Sequence, residues 1–158
     1  MPTIHLTTFI AAPVEVVFDL SRHIGLHKIS QQDSKEEAVS GTTSGLINED
    51  EWVTWKAKHL FKTRFMTSKI TVMNKPDYFE DVMTKGDFVS YSHKHYFKSA
   101  ENGTILIDKI TFESPYGVVG KIFNRFYLTN YMKALIEKRN KTIRSYAESS
   151  KWRALLTK

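Results

Sequence analysis

SPYGVVGKIFNRFYLTNYMKALIEKRNKTIRSYA, residues 114–147, is where the chain changes its period. Ahead of it apolar side chains alternate; within it Ile122, Phe126, Met132, Leu135, Ile136, Ile143 and Ala147 recur at helical spacing, with Lys and Arg on the opposite side. Pro115-Tyr116-Gly117 marks the switch, and the pattern predicts one long helix closing the chain. A helix with so broad an apolar face needs a sheet to bury it.

Working back from the helix, six runs alternate as half-buried strands do: Glu36 to Ile47, Glu51 to Phe61, Thr63 to Met73, Tyr78 to Thr84, Phe88 to Ser99 and Thr104 to Ser114. Asn48-Glu49-Asp50, Asn74-Lys75-Pro76-Asp77, Gly86-Asp87 and Glu101-Asn102-Gly103 separate them. These are turn-forming clusters short enough for antiparallel hairpins. At the other end Ile4 to Ile10 alternates as a first strand. Ala12-Pro13-Val14-Glu15 opens a helix with Val14, Val17 and Phe18 on its stripe, and a second short helix covers Gly25 to Ser30. The expected class is α+β: a seven-stranded antiparallel bent sheet around a long C-terminal helix, with two short helices after strand one. Its 158 residues suit a single domain, 1–158, large enough to need no staples.

Composition narrows the chemistry. There is no cysteine, which removes thiol catalysis, thiolate zinc sites and iron–sulfur ligation, and a reducing, cytoplasmic setting is expected. No basic stretch followed by an apolar run opens the chain, and no apolar run is long enough to span a bilayer. Net charge is +6, but residues 121–158 hold ten Lys or Arg against two acids, while residues 1–120 hold 13 against 15. The surplus sits on the last helix, with Lys138, Arg139, Lys141, Arg144, Lys151 and Arg153 on a basic face. That face is either a solvated helix surface or a contact for an anionic membrane. Nucleic acid is the weaker partner, because the same helix must bury its apolar side. Trp152, Leu155 and Leu156 are at helical spacing and dock either on the body or on a second copy as a homodimer. No phosphate-binding glycine pattern or nucleophile elbow is present, and no cofactor is expected.

This layout, together with Ala11-Ala12-Pro13-Val14-Glu15-Val16-Val17-Phe18, Glu36 to Ile47, Pro76-Asp77-Tyr78-Phe79-Glu80-Asp81 and Ser114-Pro115-Tyr116-Gly117, resembles the START-like or SRPBCC superfamily. His93-Lys94-His95, Gly103-Thr104 and Arg139-Asn140 are similar to a bacterial polyketide cyclase/dehydrase-like subgroup. The resemblance covers nearly the whole chain and implies the helix-grip fold, which hosts enzymes, lipid carriers and binding modules alike. Subgroup members often follow the strand histidine with Phe-Gly, whereas Leu60-Phe61 follows His59 here.

The strand pattern nominates the interior. Val53, Trp55, Ala57 and His59 share one face of the third strand, Val89, Tyr91, His93, His95 and Phe97 one face of the sixth, and Leu106, Asp108, Ile110 and Phe112 one face of the seventh. A buried Asp needs a partner, and the Asn102-Gly103 hairpin makes the strands of His95 and Asp108 neighbours. This pair is the expected proton-transfer couple, or else a satisfied core contact. Glu36 and Asp81 are further polar candidates. Asn140 interrupts the helical stripe and either bonds the sheet or reaches a ligand's polar head. Trp55, His59, Tyr91, His93, Phe97, Phe112, Met132, Ile136 and Asn140 are the expected ligand contacts, drawn from an aromatic supply that includes Trp52, Phe79, Phe88, Phe123 and Tyr131. His93-x-His95 with His59 or Asp108 also has the composition of a transition-metal site. The motif is of low specificity and the resembling superfamily is generally metal-free, so no metal is expected.

Three functions fit these residues. The first is binding of a hydrophobic small molecule, a lipid, isoprenoid or polyketide-like compound, in a cavity between sheet and helix. The second is cyclase or dehydratase chemistry through His95 and Asp108. The third is protein or membrane docking through the basic helix face.

Overall fold

The computed structural model describes residues 1–115 and 117–157, with the backbone alone at 120, 121 and 123–125. Tyr116 of the switch motif and the Phe123 side chain lie outside the described residues. Helices α1 (Val14–Ser21) and α2 (Ile24–Ser30) follow strand β1 (Thr3–Ile10). Then come β2 (Glu37–Gly41), β3 (Trp52–His59), β4 (Lys62–Asn74), β5 (Tyr78–Lys85), β6 (Ser90–Ala100) and β7 (Gly103–Glu113). Beyond them lie α3 (Gly117–Phe123), a π-helical turn over Asn124–Leu128, α4 (Thr129–Ala147) and α5 (Lys151–Leu156). The described strands form one antiparallel sheet in the order β1-β7-β6-β5-β4-β3-β2. Every hairpin pairs consecutive strands, and β1 closes against β7 by the long connection.

Register shifts between Ala38 and Ser40 and at two places along β4 insert unpaired residues, the local device by which a strand bends. The concave face receives α4, which packs on α1, α2 and β1. Phe18, Leu20, Ile70, Phe79, Phe97, Leu106 and Ile143 form one buried cluster, and Ile4, Tyr91, Ile110, Phe112, Leu128 and Ile136 another.

Three expectations are corrected. The second strand does not run to Ile47: Gly41 takes φ +78°, where a Cβ would stand 2.2 Å from the Trp52 carbonyl oxygen, and the ladder stops there. Ile47 is buried all the same, carried by a loop whose Leu46 bridges His23. Second, the long helix runs unbroken from Gly117 to Ala147, as expected, but does not keep one phase. The π-helical turn inserts backbone between α3 and α4, so the apolar stripe loses phase: Ile136 and Ile143 are buried while Ile122 and Phe126 are exposed. Third, Arg139 is not on the outer basic face but buried at 4% exposure. Of the remaining cations there, Lys138 pairs with Asp33 and Arg144 with Glu148, while Lys151 and Arg153 lie over the Tyr146 and Trp152 rings. Trp152, Leu155 and Leu156 pack against the first core cluster, the docking on the body that was one of the two expectations for the tail.

The β3–β4 hairpin turns through a strained loop. Leu60 (φ 52°) and Phe61 (φ 64°) form a two-residue loop in the left-handed region, and Phe61 is 99% exposed.

Candidate functional site

A cavity of about 400 Å³ lies between the concave face and α4. Its walls are mostly apolar: Val53, Trp55, Ala57 and Ile70 from the outer strands, Phe79 and Tyr91 from the centre, Met132 and Ile136 from α4. Three hydrogen-bonded polar groups face it, Arg22, Gln31, Arg64, Ser68, Asp87 and Ser114 line it as well, and no buried side-chain N or O among the described residues lacks a partner.

The largest polar group follows from strand alternation. On β6, Tyr91, His93, His95 and Phe97 are buried while Ser92, Lys94 and Tyr96 are less so; on β7 the buried set is Leu106, Asp108, Ile110 and Phe112. Asp81 on β5 faces His93, and Asp108 faces His95, as cross-strand neighbours. The expected two-residue couple is thus part of a longer chain. His95 Nε2–H donates to Asp81 Oδ2 at 2.7 Å, and His93 Nε2–H donates to Asp108 Oδ1 at 2.7 Å. His95 Nδ1 lies 3.2 Å from Asp108 Oδ1 and 3.4 Å from Nη2 of Arg139. A proton on Nδ1 makes the first contact a hydrogen bond; its absence makes Arg139 the donor. The two imidazoles stack at 3.7 Å, and His95 stacks on Phe79 at 4.1 Å.

Two neighbours on α4 complete the group. Arg139 donates to the Ser21 carbonyl (3.1 Å) and to Asn140 Oδ1 (2.9 Å), with Nη1 3.6 Å from Asp108. Asn140 Nδ2 donates to Asp108 Oδ2 (2.7 Å) and Thr8 Oγ1 (3.1 Å). Burial by itself raises the carboxyl pKa of Asp108, but hydrogen bonds from His93 and His95 and the Arg139 charge outweigh it and hold it well below the usual range. Asp81 is held low in the same way, against burial, by its His95 bond and the neighbouring His93, His95 and Arg139. Burial, reinforced by His95, pushes His93 down to about 4.

The second polar group is at the β3 end, where His59 Nδ1 and Tyr131 Oη share a hydrogen bond of 2.7 Å. Burial lowers the His59 pKa and raises that of Tyr131, so the neutral pair is favoured. At the third, His27 Nε2–H donates to Glu36 Oε1 at 2.7 Å, with the His27 ring 4.5 Å from Trp55.

Of the residues expected from sequence, Trp55, His59, Tyr91, His93, His95, Met132 and Ile136 line the cavity, and so do Glu36 and Asp81. Phe97, Phe112 and Asn140, expected as ligand contacts, do not. Phe97 packs edge-on to Phe18 and Phe112 packs against Phe88, each on a stretch of the same face that core side chains fill. Asn140 spends its amide on Asp108 and Thr8, the helix-to-sheet bond that was one of its two readings. Asp108 likewise sits behind the wall that His93 and His95 form. Sequence reading missed His27, placed Arg139 on the outer face, and named Tyr131 only among the aromatics, without its bond to His59. Arg139 carried a signal, since 132, 136, 139 and 143 continue one helical stripe.

No family model matches the sequence, and no curated protein sequence does. Solved structures do match. TTHA0849 from Thermus thermophilus is 17% identical, covering 92% of this chain and 97% of its own, with a TM-score of 0.72. Ginseng major latex-like protein 151 from Panax ginseng is 12% identical over 94% of this chain and 98% of its own (TM-score 0.69). A START superfamily protein from Mycobacterium smegmatis is 10% identical over 92% and 97% (TM-score 0.69). The chain has the helix-grip fold of the START/SRPBCC superfamily.

Proposed function

We propose that the protein binds a hydrophobic small molecule, a lipid, isoprenoid or polyketide-like compound, in the cavity between sheet and α4. The observation that carries this reading is the cavity itself: about 400 Å³, with a wall surface that is mostly apolar. That volume and lining suit a small apolar ligand with one or two oxygen functions. The histidines then serve as orienting groups, His59 with Tyr131 at one end and the His93–His95 face at the centre. Native mass spectrometry of freshly purified protein, followed by organic extraction, tests it. A stoichiometric apolar adduct supports the reading; an empty protein that also takes up no added fatty acid or isoprenoid opposes it.

A second reading, cyclase- or dehydratase-type proton transfer, is favoured by one specific feature. His95 lines the cavity while carboxylates touch both of its nitrogens. In that reading His95 moves the proton and Asp81 and Asp108 hold its ring. His95→Ala then abolishes turnover while leaving ligand affinity within a few-fold, whereas equal loss of both returns the site to a binding role.

A further inference from the structure

We propose that Asp81, His93 and His95 form a binding site for a divalent transition-metal ion, with Asp108 as the shared outer partner of both imidazoles and the cavity on the open side. One ring nitrogen from each histidine and a carboxylate oxygen of Asp81 lie within 4.8 Å of one another. Their convergence follows from the sheet: His93 and His95 alternate on β6, and Asp81 is the cross-strand partner of His93, so all three project from one face.

The outer shell distinguishes this group from a chance cluster. A metal-bound imidazole needs its other nitrogen held, most often by a carboxylate. Here one carboxylate serves both rings, Asp108 Oδ1 standing 2.7 Å from Nε2 of His93 and 3.2 Å from Nδ1 of His95. The nitrogens left for an ion are Nδ1 of His93 and Nε2 of His95, and Asp81 Oδ2 already stands 2.7 Å from the latter. Ligand atoms sharing one ion at roughly 2.1 Å are about 3.0–3.4 Å apart, so this contact widens slightly and the wider separations of the group, which reach no further than 4.8 Å, close as the ion replaces the bridging proton.

Charge and access agree. With neutral imidazoles as ligands, the carboxylates of Asp81 and Asp108 outnumber the Arg139 guanidinium by one, a charge that a bound cation balances in place of a second proton on His95. Arg139 approaches His95 on its Nδ1 edge, across the ring from the nitrogen that Asp81 meets. Asp81, His93 and His95 line the cavity whereas Asp108 does not, so the remaining coordination positions open toward a ligand's oxygen. Three protein donors with open positions suit a zinc, iron, cobalt or nickel ion acting as a Lewis acid. The third donor is Asp81 rather than the His59 or Asp108 that sequence spacing offers.

The site is independent of whether the cavity carries an apolar molecule, but it excludes proton transfer through His95 Nε2 while the ion is bound. Chelator-stripped protein is titrated with Co²⁺, reading visible d–d absorption and the paramagnetically shifted imidazole proton resonances, and with Zn²⁺ by calorimetry. One ion per chain is expected, with shifted ring protons from two histidines. Affinity falls at least tenfold in His95→Ala and Asp81→Asn and by about 10–100-fold in Asp108→Asn. Circular dichroism checks that each variant is folded, and the wild-type resonances decide without any variant. No d–d band, no shifted ring protons from His93 and His95, or uptake undiminished in folded Asp81→Asn overturns the proposal. Extraction of an apolar ligand is a separate readout, so failure of one does not pass for failure of the other.

Discussion

Asn140 on α4 donates a 2.7 Å hydrogen bond to Oδ2 of Asp108 on β7, and its amide also reaches Thr8 on β1. One side chain, 1% exposed, thereby ties the last helix to two strands and to a buried carboxylate. Asn140→Leu keeps the bulk and leaves an Asp108 oxygen short of a donor, at a cost of about 1–3 kcal/mol. Chemical denaturation checks this, and an unchanged midpoint would show that the contact contributes nothing.

Two arginines five residues apart on α4 separate interior from surface. Arg139 is buried among Asp108, Asn140 and His95; Arg144 pairs with Glu148 at the surface. Arg139→Leu leaves Asp81 and Asp108 without their guanidinium and should cost about 3–5 kcal/mol, while Arg144→Ala should cost under about 1 kcal/mol. Equal losses in paired denaturation curves would place Arg139 on the surface.

The β3–β4 loop carries removable strain. Phe61 holds φ 64° with its side chain in solvent, so Phe61→Gly relieves a left-handed conformation without losing packing. A gain of about 1 kcal/mol is expected. A lower melting temperature in the variant would mean that the exposed ring contributes contacts that outweigh the strain.

Acid should destabilise the fold through the same buried group. His93 binds its proton at about 4 in the folded state against 6.5 as a free side chain, so between those values the unfolded chain takes up the proton and stability falls as pH falls. The full span amounts to roughly 3 kcal/mol. Asp81 and Asp108, both held low, add stability that is present above the ordinary carboxylate range and lost as pH drops below it. Urea midpoints taken from neutrality to about pH 5 should decline in the wild type and flatten in His93→Gln; parallel curves would remove His93 as the cause.

Much of this was legible in the sequence because strand alternation is a two-valued signal. Placing Tyr91, His93 and His95 inside needed only the period of two, and all three line the cavity. Pairing needed more: register alone sets Asp108 opposite His95, but the shortest bonds run diagonally, His93 to Asp108 and His95 to Asp81. Diagonal reach depends on side-chain rotamers and on the stacked rings, which no spacing encodes. Charge misled at Arg139, where the habit of placing arginine in solvent outweighed its position on the apolar stripe. The phase shift within the long helix was invisible because a π-helical turn moves a stripe without any proline to mark it.

Uptake of a neutral apolar fluorophore measures the central claim most directly. N-phenyl-1-naphthylamine is titrated into the wild type and into Met132→Trp, which fills the cavity from α4, with melting curves taken on both. Saturable one-site binding to the wild type, lost or at least tenfold weaker in a Met132→Trp variant that melts normally, is the expected result. Non-saturating fluorescence, or equal binding by the filled variant, would contradict an internal ligand cavity.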